Sequence, residues 1–326
     1  MPLQSTRGAA SLRGFGFGAG GGDIMLATGG NSTVYKTILK STGTLTSFGF
    51  LAQTGPNTYD QGGSAASTTR MIVEGGYQAP APAHYSVIQY LTFATGGNSL
   101  SFGNTIQVRT NNNGGNDSTR ACWVNGSNYQ TSYLGISTIA YVTMATTGNA
   151  SSFGTSSNAA SAGTTGSMSS STRQVWGGGN IGPFGGGDKG TSALQYITTQ
   201  TTGNSTSFGN ITYGTNGVEM TPGAFSSDTR GLIAGGQNYG PGAPGSSQST
   251  IHYITLATTG NSTSFGNMGS ATGNNYGASN KTIGIFNLSG GVPESVTIAT
   301  LGNSASWGSG APGAYSCWAC NNNGGV

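Results

Sequence analysis

Short bursts of alternating apolar and polar residues run through this chain. They read "VYKTILKST", "VIQYLTFAT", "TIAYVTMAT", "ALQYITTQT", "TIHYITLAT" and "ESVTIAT", and alternation of this kind predicts half-buried strands. Each burst leads into Thr-x-Gly-Asn-x-x-Ser-Phe-Gly or a close variant. The aromatic falls at Phe48, Phe102, Phe153, Phe208, Phe265 and, as Trp, Trp307, at intervals of 54, 51, 55, 57 and 42 residues. The ten-residue string "TTGNSTSFGN" even occurs twice word for word, at 201–210 and 258–267. Its Gly-Asn predicts a tight turn using positive φ angles. Its "SFG" predicts a returning strand whose aromatic plugs the seam to the next unit. A 3.6-residue helical period is found nowhere.

A second recurring unit lies upstream of each burst. It reads "TRMIVEGG", "TRACWVNG", "TRQVWGGG" and "TRGLIAGG", with "IMLATGG" in the first copy and "KTIGIFNLSGG" in the sixth. This is a short apolar strand ending in a Gly pair or its near equivalent. Before it lies a low-bulk stretch such as "NNYGASN", suited to the crowded innermost position of a radial array. One repeat is therefore four strands in about 40–55 residues, the pattern of a β-propeller blade. An isolated blade cannot cover its own faces, so blades must stack and the ring must close. The chain ends fit closure. "NNNGG" at 321–325 echoes "NNNGG" at 111–115, whereas the first copy lacks a small-residue strand. One strand from the C-terminus thus completes the first blade, predicting six blades; a seven-bladed or open arrangement is the alternative.

Composition narrows this picture. Of 326 residues, 60 are Gly and only 6% are charged, yet 14 Tyr, 12 Phe and 4 Trp sit in recurrent places. Recurrent aromatics and low net charge argue against disorder of the whole chain. A net charge of +3 with scattered basic residues argues against nucleic-acid binding. No apolar run reaches the ~18 residues of a membrane span. The opening "MPLQSTRGAASLRGFGFGAGGG" lacks the apolar core of a secretory signal and reads as a Gly-rich arm over residues 1–22, followed by the propeller over 23–326. The matches to Asn-x-Ser/Thr at Asn149, Asn204 and Asn261 follow from composition alone.

An Arg, a short strand ending in Gly-Gly, a variable loop, a strand with Tyr and a late aromatic together resemble the kelch repeat, over roughly 24–326. The aromatic is mostly Phe here rather than Trp. The fold expected is thus all-β: a six-bladed kelch-like β-propeller, four strands per blade, closed by the C-terminal strand. The run "Tyr-Ile-Thr-x-Ala-Thr-Thr-Gly-Asn-x-x-Ser-Phe-Gly" looks more closely like repeats in structural proteins of marine and cyanobacterial tailed phages. The opening "STRGAASLRGFGFGAGG" is similar to the N-termini of phage fibre-type proteins that start with a short anchor. These resemblances imply a virion protein whose residues 1–22 attach it to other virion proteins, with room for a homo-oligomer.

Candidate chemistry is sparse. The eight carboxylates are spread across the repeats, and only Asp117 and Asp228 occupy matching positions, where a turn-forming role fits best. Glycosidase chemistry needs two carboxyl groups within about 10 Å. His84 and His252 have no companions for a triad or a metal site. "CWAC" (Cys317, Cys320) has no second pair, and with Cys122 makes no disulfide framework. "GGGNIGPFGGGDKG" lacks the Gly-Lys-Ser/Thr ending of a phosphate loop. No catalytic residue, metal or cofactor is therefore expected.

Arg70, Arg120, Arg173 and Arg230 recur once per blade. They read as repeated contacts to a neighbouring blade's carbonyls, with a cationic ring in the central channel as the alternative. What varies is the loop after Gly-Gly, and variable loops on a rigid scaffold are where recognition concentrates. These loops carry Tyr77, His84, Tyr85, Tyr129, Tyr133, Phe184, Asp188 and Tyr239, a mixture suited to sugars or flat protein surfaces. The same tyrosines could instead pack their own loops or dock on another subunit. The leading expectation is a non-enzymatic virion protein, a tail fibre or similar surface component, that binds host surface polysaccharide or neighbouring subunits. A glycan-degrading enzyme on the same scaffold and a cellular kelch-like adaptor are the alternatives.

Overall fold

The structure, a computed structural model, describes residues 24–320 apart from 29–31, 40–44, 53–57, 60–61, 79–82, 129–131, 161–165, 182–189, 213–217, 221, 241–242, 274, 287–291 and 309–317. Among the described residues there is no α-helix, and six antiparallel sheets of four or more strands repeat along the chain. Blade 2 shows the plan. From the inside outward it runs Gly63–Ala66, Arg70–Glu74, Val87–Thr92 and Leu100–Asn104. Blades 3 to 6 repeat that order. Blade 1 takes its inner strand from the far end of the chain: Trp318–Cys320 pairs with Ile24–Thr28 in the register Met25 to Cys320 and Ala27 to Trp318. The protein is a six-bladed β-propeller clasped by its C-terminal strand.

The second strand of each blade is apolar on both faces because sheets cover it on both sides. Met71, Ile72 and Val73, for example, are all buried. Six hydrophobic clusters fill six seams. Phe102 packs with Ile72 and Ile88 of its own blade and with Trp123 and Val142 of blade 3. Phe153 packs against Trp176 and Ile197 of blade 4. Phe208 packs against Ile233 and Ile254 of blade 5, and Phe265 against Phe286 and Ile298 of blade 6. Trp307 closes the ring on Met25, Ala27 and Leu39, and Phe48 packs at the seam between blades 1 and 2. Burying a side chain of this size contributes roughly 1.5–3 kcal/mol.

The inner strands are joined by a belt of small polar side chains. Ser169 N donates to Ser226 Oγ at 2.9 Å, and Ser226 Oγ donates back to Ser169 O at 2.8 Å. Ser226 and Ser279 repeat the exchange at 3.1 and 2.7 Å. Asn116 N donates to Ser169 Oγ, and Ala66 N to Asn116 Oδ1, each at 3.2 Å. Short hydroxyl side chains let neighbouring backbones approach closely while satisfying groups that have no ladder partner on that side.

The Gly-Asn pair behaves differently from the turn expected of it. At Gly148, Gly203 and Gly260 φ lies outside the left-handed region; positive values occur at Gly96 and Gly97 of blade 2. The loop works across the seam instead. Gly203 N donates to Phe153 O of the preceding blade at 2.8 Å, and Asn204 Oδ1 accepts from Thr155 N at 3.0 Å. Gly260 and Asn261 make the same pair of bonds to Phe208 and Asn210 at 2.8 and 2.9 Å. A Cβ placed on Gly154, the Gly of "SFG", would lie 2.0 Å from Gly203 O, and one on Gly209 would lie 2.1 Å from Gly260 O. That Gly is required because the next blade's loop lies directly against the strand.

Candidate functional site

Antiparallel order sends the connections of every blade alternately to two ends. The turns between strands one and two, and between three and four, fall at one end, called lower below. The loops between strands two and three, and the links to the next blade, fall at the upper end.

At the lower end the repeated side chains are occupied. Arg70 Nη1 donates to Met144 O and Ala145 O of blade 3 at 3.2 and 3.1 Å. Arg120 reaches Thr199 O of blade 4 at 2.9 Å. Arg173 reaches Leu256 O and Ala257 O of blade 5 at 3.0 and 2.7 Å, and Arg230 reaches Ile298 O and Ala299 O of blade 6, both at 2.9 Å. Each guanidinium also lies over the strand-three Tyr of its own blade, from 4.6 Å at Tyr253 to 5.2 Å at Tyr141. Each of those rings meets its blade's Phe edge-on, as Tyr196 meets Phe208 at 5.9 Å. Delocalised Arg suits both contacts, since it stacks on a ring and forks to carbonyls. Asp117 Oδ1 caps the lower turn of blade 3 by accepting from Thr119 N and Arg120 N, both at 2.7 Å. Asp228 pairs with Lys281 at 3.2 Å on the surface.

At the upper end the Gly pair turns the chain out of the ring. Gly75 and Gly76 have φ of 75° and 112°, and Gly235 and Gly236 have 68° and 101°. These are left-handed values that cost a side-chain-bearing residue about 1–2 kcal/mol. A short hairpin rises beyond them. In blade 2, Tyr77–Gln78 pairs with Ala83–His84, and Thr58–Tyr59 adds a third strand. In blade 3, Ser127–Asn128 pairs with Ser132–Gly135. In blade 4 a bridge joins Asn180 and Gly190. In blade 5 the long strand Ala243–Thr255 pairs with Gln237–Gly240, which pairs in turn with Val218–Met220.

Tyr77, His84, Tyr133 and Tyr239 thus have their backbones in upper-end hairpins, and Tyr85 follows at the base of the first, half-buried. Tyr129, Phe184 and Asp188 lie outside the described residues. Large apolar side chains the loop reading did not single out are exposed at the same end. Ile106 is 43% exposed in the link from blade 2 to blade 3, Leu134 54% in the blade 3 hairpin, and Ile181 44% in the blade 4 loop.

Among the described residues, His252 and Glu294 have structural partners. His252 stands in blade 5 where Gln195 stands in blade 4. Its Nδ1 lies 3.2 Å from Thr212 Oγ1 and 3.3 Å from Ser262 Oγ. Gln195 Oε1 accepts from Ser205 Oγ at 2.7 Å. Burial lowers the His252 pKa from its ordinary 6.5, favouring the neutral ring. Glu294, at the same position of blade 6, accepts from Gly269 N at 2.9 Å and from Ser304 Oγ. Cys122 is buried, and desolvation raises its pKa far above that of a reactive thiol.

Glu74 and Arg109 form a wholly buried ion pair at the upper end of the seam between blades 2 and 3, with Nε 3.6 Å from Oε1. Thr105 Oγ1 and Asn112 Nδ2 donate to the Glu74 carboxyl. Burial pushes that carboxyl above its usual range, opposed by Arg109 and those hydrogen bonds. Sequence reasoning missed this pair. Its available signal was a lone acid in an otherwise apolar Gly-Gly strand and a lone base in a link to the next blade. Among the described residues no group of three or more His, Cys, Asp or Glu side chains converges as a metal site, and no helix is long and apolar enough to cross a membrane.

The architecture defines the class, a six-bladed β-propeller carrying a crown of hairpins at one end. Comparison with known structures agrees on the fold. The chain is similar to the protein described as "Structure of YjhT", with a TM-score of 0.61 and 14% identity over 81% of this chain and 90% of that one. No protein-family model matches the chain, and no curated protein does.

Proposed function

We propose that this chain is a non-enzymatic structural protein of a tailed-phage virion, a kelch-like propeller attached through residues 1–22. The hairpins of blades 2 to 5 bind host surface glycan or a neighbouring virion subunit. One observation carries the binding reading. The variable hairpins and the tyrosine-bearing segments all leave the same end of a rigid ring. The described side chains repeated from blade to blade are engaged in holding the blades together. A rigid scaffold with loops gathered at one end is the usual arrangement of a recognition surface. The virion assignment rests on the resemblance of the repeat and of the opening arm to phage structural proteins.

The non-enzymatic reading is supported by Glu74, Asp117, Glu294 and His252, whose partners are backbone amides, hydroxyls, side-chain amides or a buried base within the framework, and by Asp228, which pairs with Lys281 on the surface. The test is fractionation of phage particles. The intact chain should co-purify with virions, and a variant lacking residues 1–22 should not. A truncated chain that still incorporates would refute the arm. Depolymerisation of host polysaccharide that disappears with one acidic side chain would replace the binding reading with the enzymatic one.

A further inference from the structure

The Arg109 side chain is wholly buried but only partly satisfied. Its Nη1 donates to Thr138 O at 3.1 Å, Asn125 O at 3.4 Å and Trp123 O at 3.5 Å. Its Nε faces the Glu74 carboxylate at 3.6 Å, and its Nη2 has no hydrogen-bond partner among the described residues. Neither do Nδ2 and Oδ1 of Asn125 or Oγ of Ser127, all of them buried. The backbone keeps these three residues in one neighbourhood. Arg109 Nη1 lies on the Asn125 carbonyl, and Thr110, the next residue, exchanges both backbone hydrogen bonds with Ser127 at 3.0 Å.

Asn125 is also an exception in the repeat. It adopts φ of 61°, where blades 2, 4 and 5 place Gly75, Gly178 and Gly235. Two polar atoms are therefore added here, beside the one link that carries a buried base. Leaving a buried donor or acceptor unmade costs about 1–3 kcal/mol each, more for a charged group. Several together in one place need a partner from outside the chain.

We propose that the junction of Arg109, Asn125 and Ser127 is an internal hydration site holding one or two ordered water molecules. The groups without a hydrogen bond decide the ligand. Leaving aside Arg109 Nε, which faces the Glu74 carboxylate, they comprise donors (Arg109 Nη2, Asn125 Nδ2), a pure acceptor (Asn125 Oδ1) and a hydroxyl that can do either. Water donates and accepts, and a buried water typically makes about three such bonds. A halide or other anion only accepts, would leave Asn125 Oδ1 unmade, and would put a second negative charge beside Glu74. Water here ties the link 105–112 to Ser127, the first residue of the blade 3 hairpin. The inference stands independently of what the hairpins bind.

A crystal structure at about 1.5 Å, with a parallel bromide soak, tests it. The expected result is a density peak within hydrogen-bond range, roughly 2.7–3.2 Å, of Arg109 Nη2 and a side-chain atom of Asn125 or Ser127. That peak should carry no anomalous bromide signal. In Asn125→Gly, which preserves the backbone conformation the repeat uses elsewhere, the peak should be lost or displaced. Amide exchange across residues 127–135 should then accelerate by about tenfold or more. Should that variant fold poorly, Ser127→Ala serves for the same two readouts. No peak in the wild type, or one that takes bromide, overturns the proposal. So does unchanged density and exchange in the folded variant.

Discussion

The two ends of each blade follow opposite rules. The lower end is nearly the same in blades 2 to 5: an Arg over a Tyr over a Phe, with the guanidinium on the next blade's carbonyls. Among the described residues the upper end varies, from a bridge between Asn180 and Gly190 in blade 4 to a three-stranded ribbon in blade 5. Blade 1 shows what the lower end is for. It has Ile24 and Lys36 where blade 2 has Arg70 and Tyr90, and Lys36 lies over Phe48 at 5.9 Å. Blade 1 is also the blade completed by the distant C-terminal strand. Where the chain closes non-covalently the Arg clamp is absent, and Gly97 and Asn98 still join blade 2 to blade 1 at 3.0 and 3.1 Å. Repetition at one end therefore reports blade-to-blade bonding, and variation at the other marks positions that bonding leaves free.

The largest effect should come from the glycine that lets blades touch. Gly154→Ala forces a Cβ into Gly203 O, and a stability loss of about 3 kcal/mol or more is expected by urea denaturation. Gly203→Ala in the partner loop meets open space and should cost no more than about 1 kcal/mol. Equal losses would mean that the Gly of "SFG" is not the point of contact.

Arg173→Ala removes two carbonyl contacts and the stack on Tyr196. Because the side chain is partly exposed, the expected loss is about 1–2 kcal/mol. Tyr196→Ala in the same background should then cost less than it does alone, a coupling read by a double-mutant cycle.

His252 separates blade 5 from blade 4 by pH. Its folded pKa is depressed, so the folded state binds its proton later than the unfolded chain does. Stability should therefore fall as pH drops below about 6.5 toward the folded value, and remain level above. His252→Gln, the blade 4 residue, should abolish that component of thermal stability measured between pH 5 and 7. The smallest stability change is expected at the upper end: Leu134→Ser, at an exposed position, should stay within about 0.5 kcal/mol of wild type.

Much of this was legible in the sequence because a propeller repeats its constraints. Six recurring aromatics mark six seams, and the chain's far end does supply the closing strand, at Trp318–Cys320, while the echoed "NNNGG" at 321–325 lies outside the described residues. The Gly-Asn of "TTGNSTSFGN" was misread for a physical reason. Its partner is the neighbouring blade's backbone, so local turn preference pointed to a positive φ that three of its copies do not use. The serine belt was hidden because Ser169, Ser226 and Ser279 sit in stretches that read as small-residue filler. Glu74 and Arg109 were missed because the pair occurs once and its two members lie in different elements. A repeat-based reading has no signal for a contact that does not repeat.

We propose that the upper end recognises and the lower end holds. The most direct test compares two variants for binding to host cells and for melting temperature. One carries Ile106→Ser, Leu134→Ser and Ile181→Ser; the other carries Arg120→Ala and Arg230→Ala. The first should melt within a few degrees of wild type and lose about tenfold or more in binding, while the second should melt measurably lower and bind normally while folded. Undiminished binding by the upper-end variant, with binding lost in the folded lower-end variant, would contradict the account.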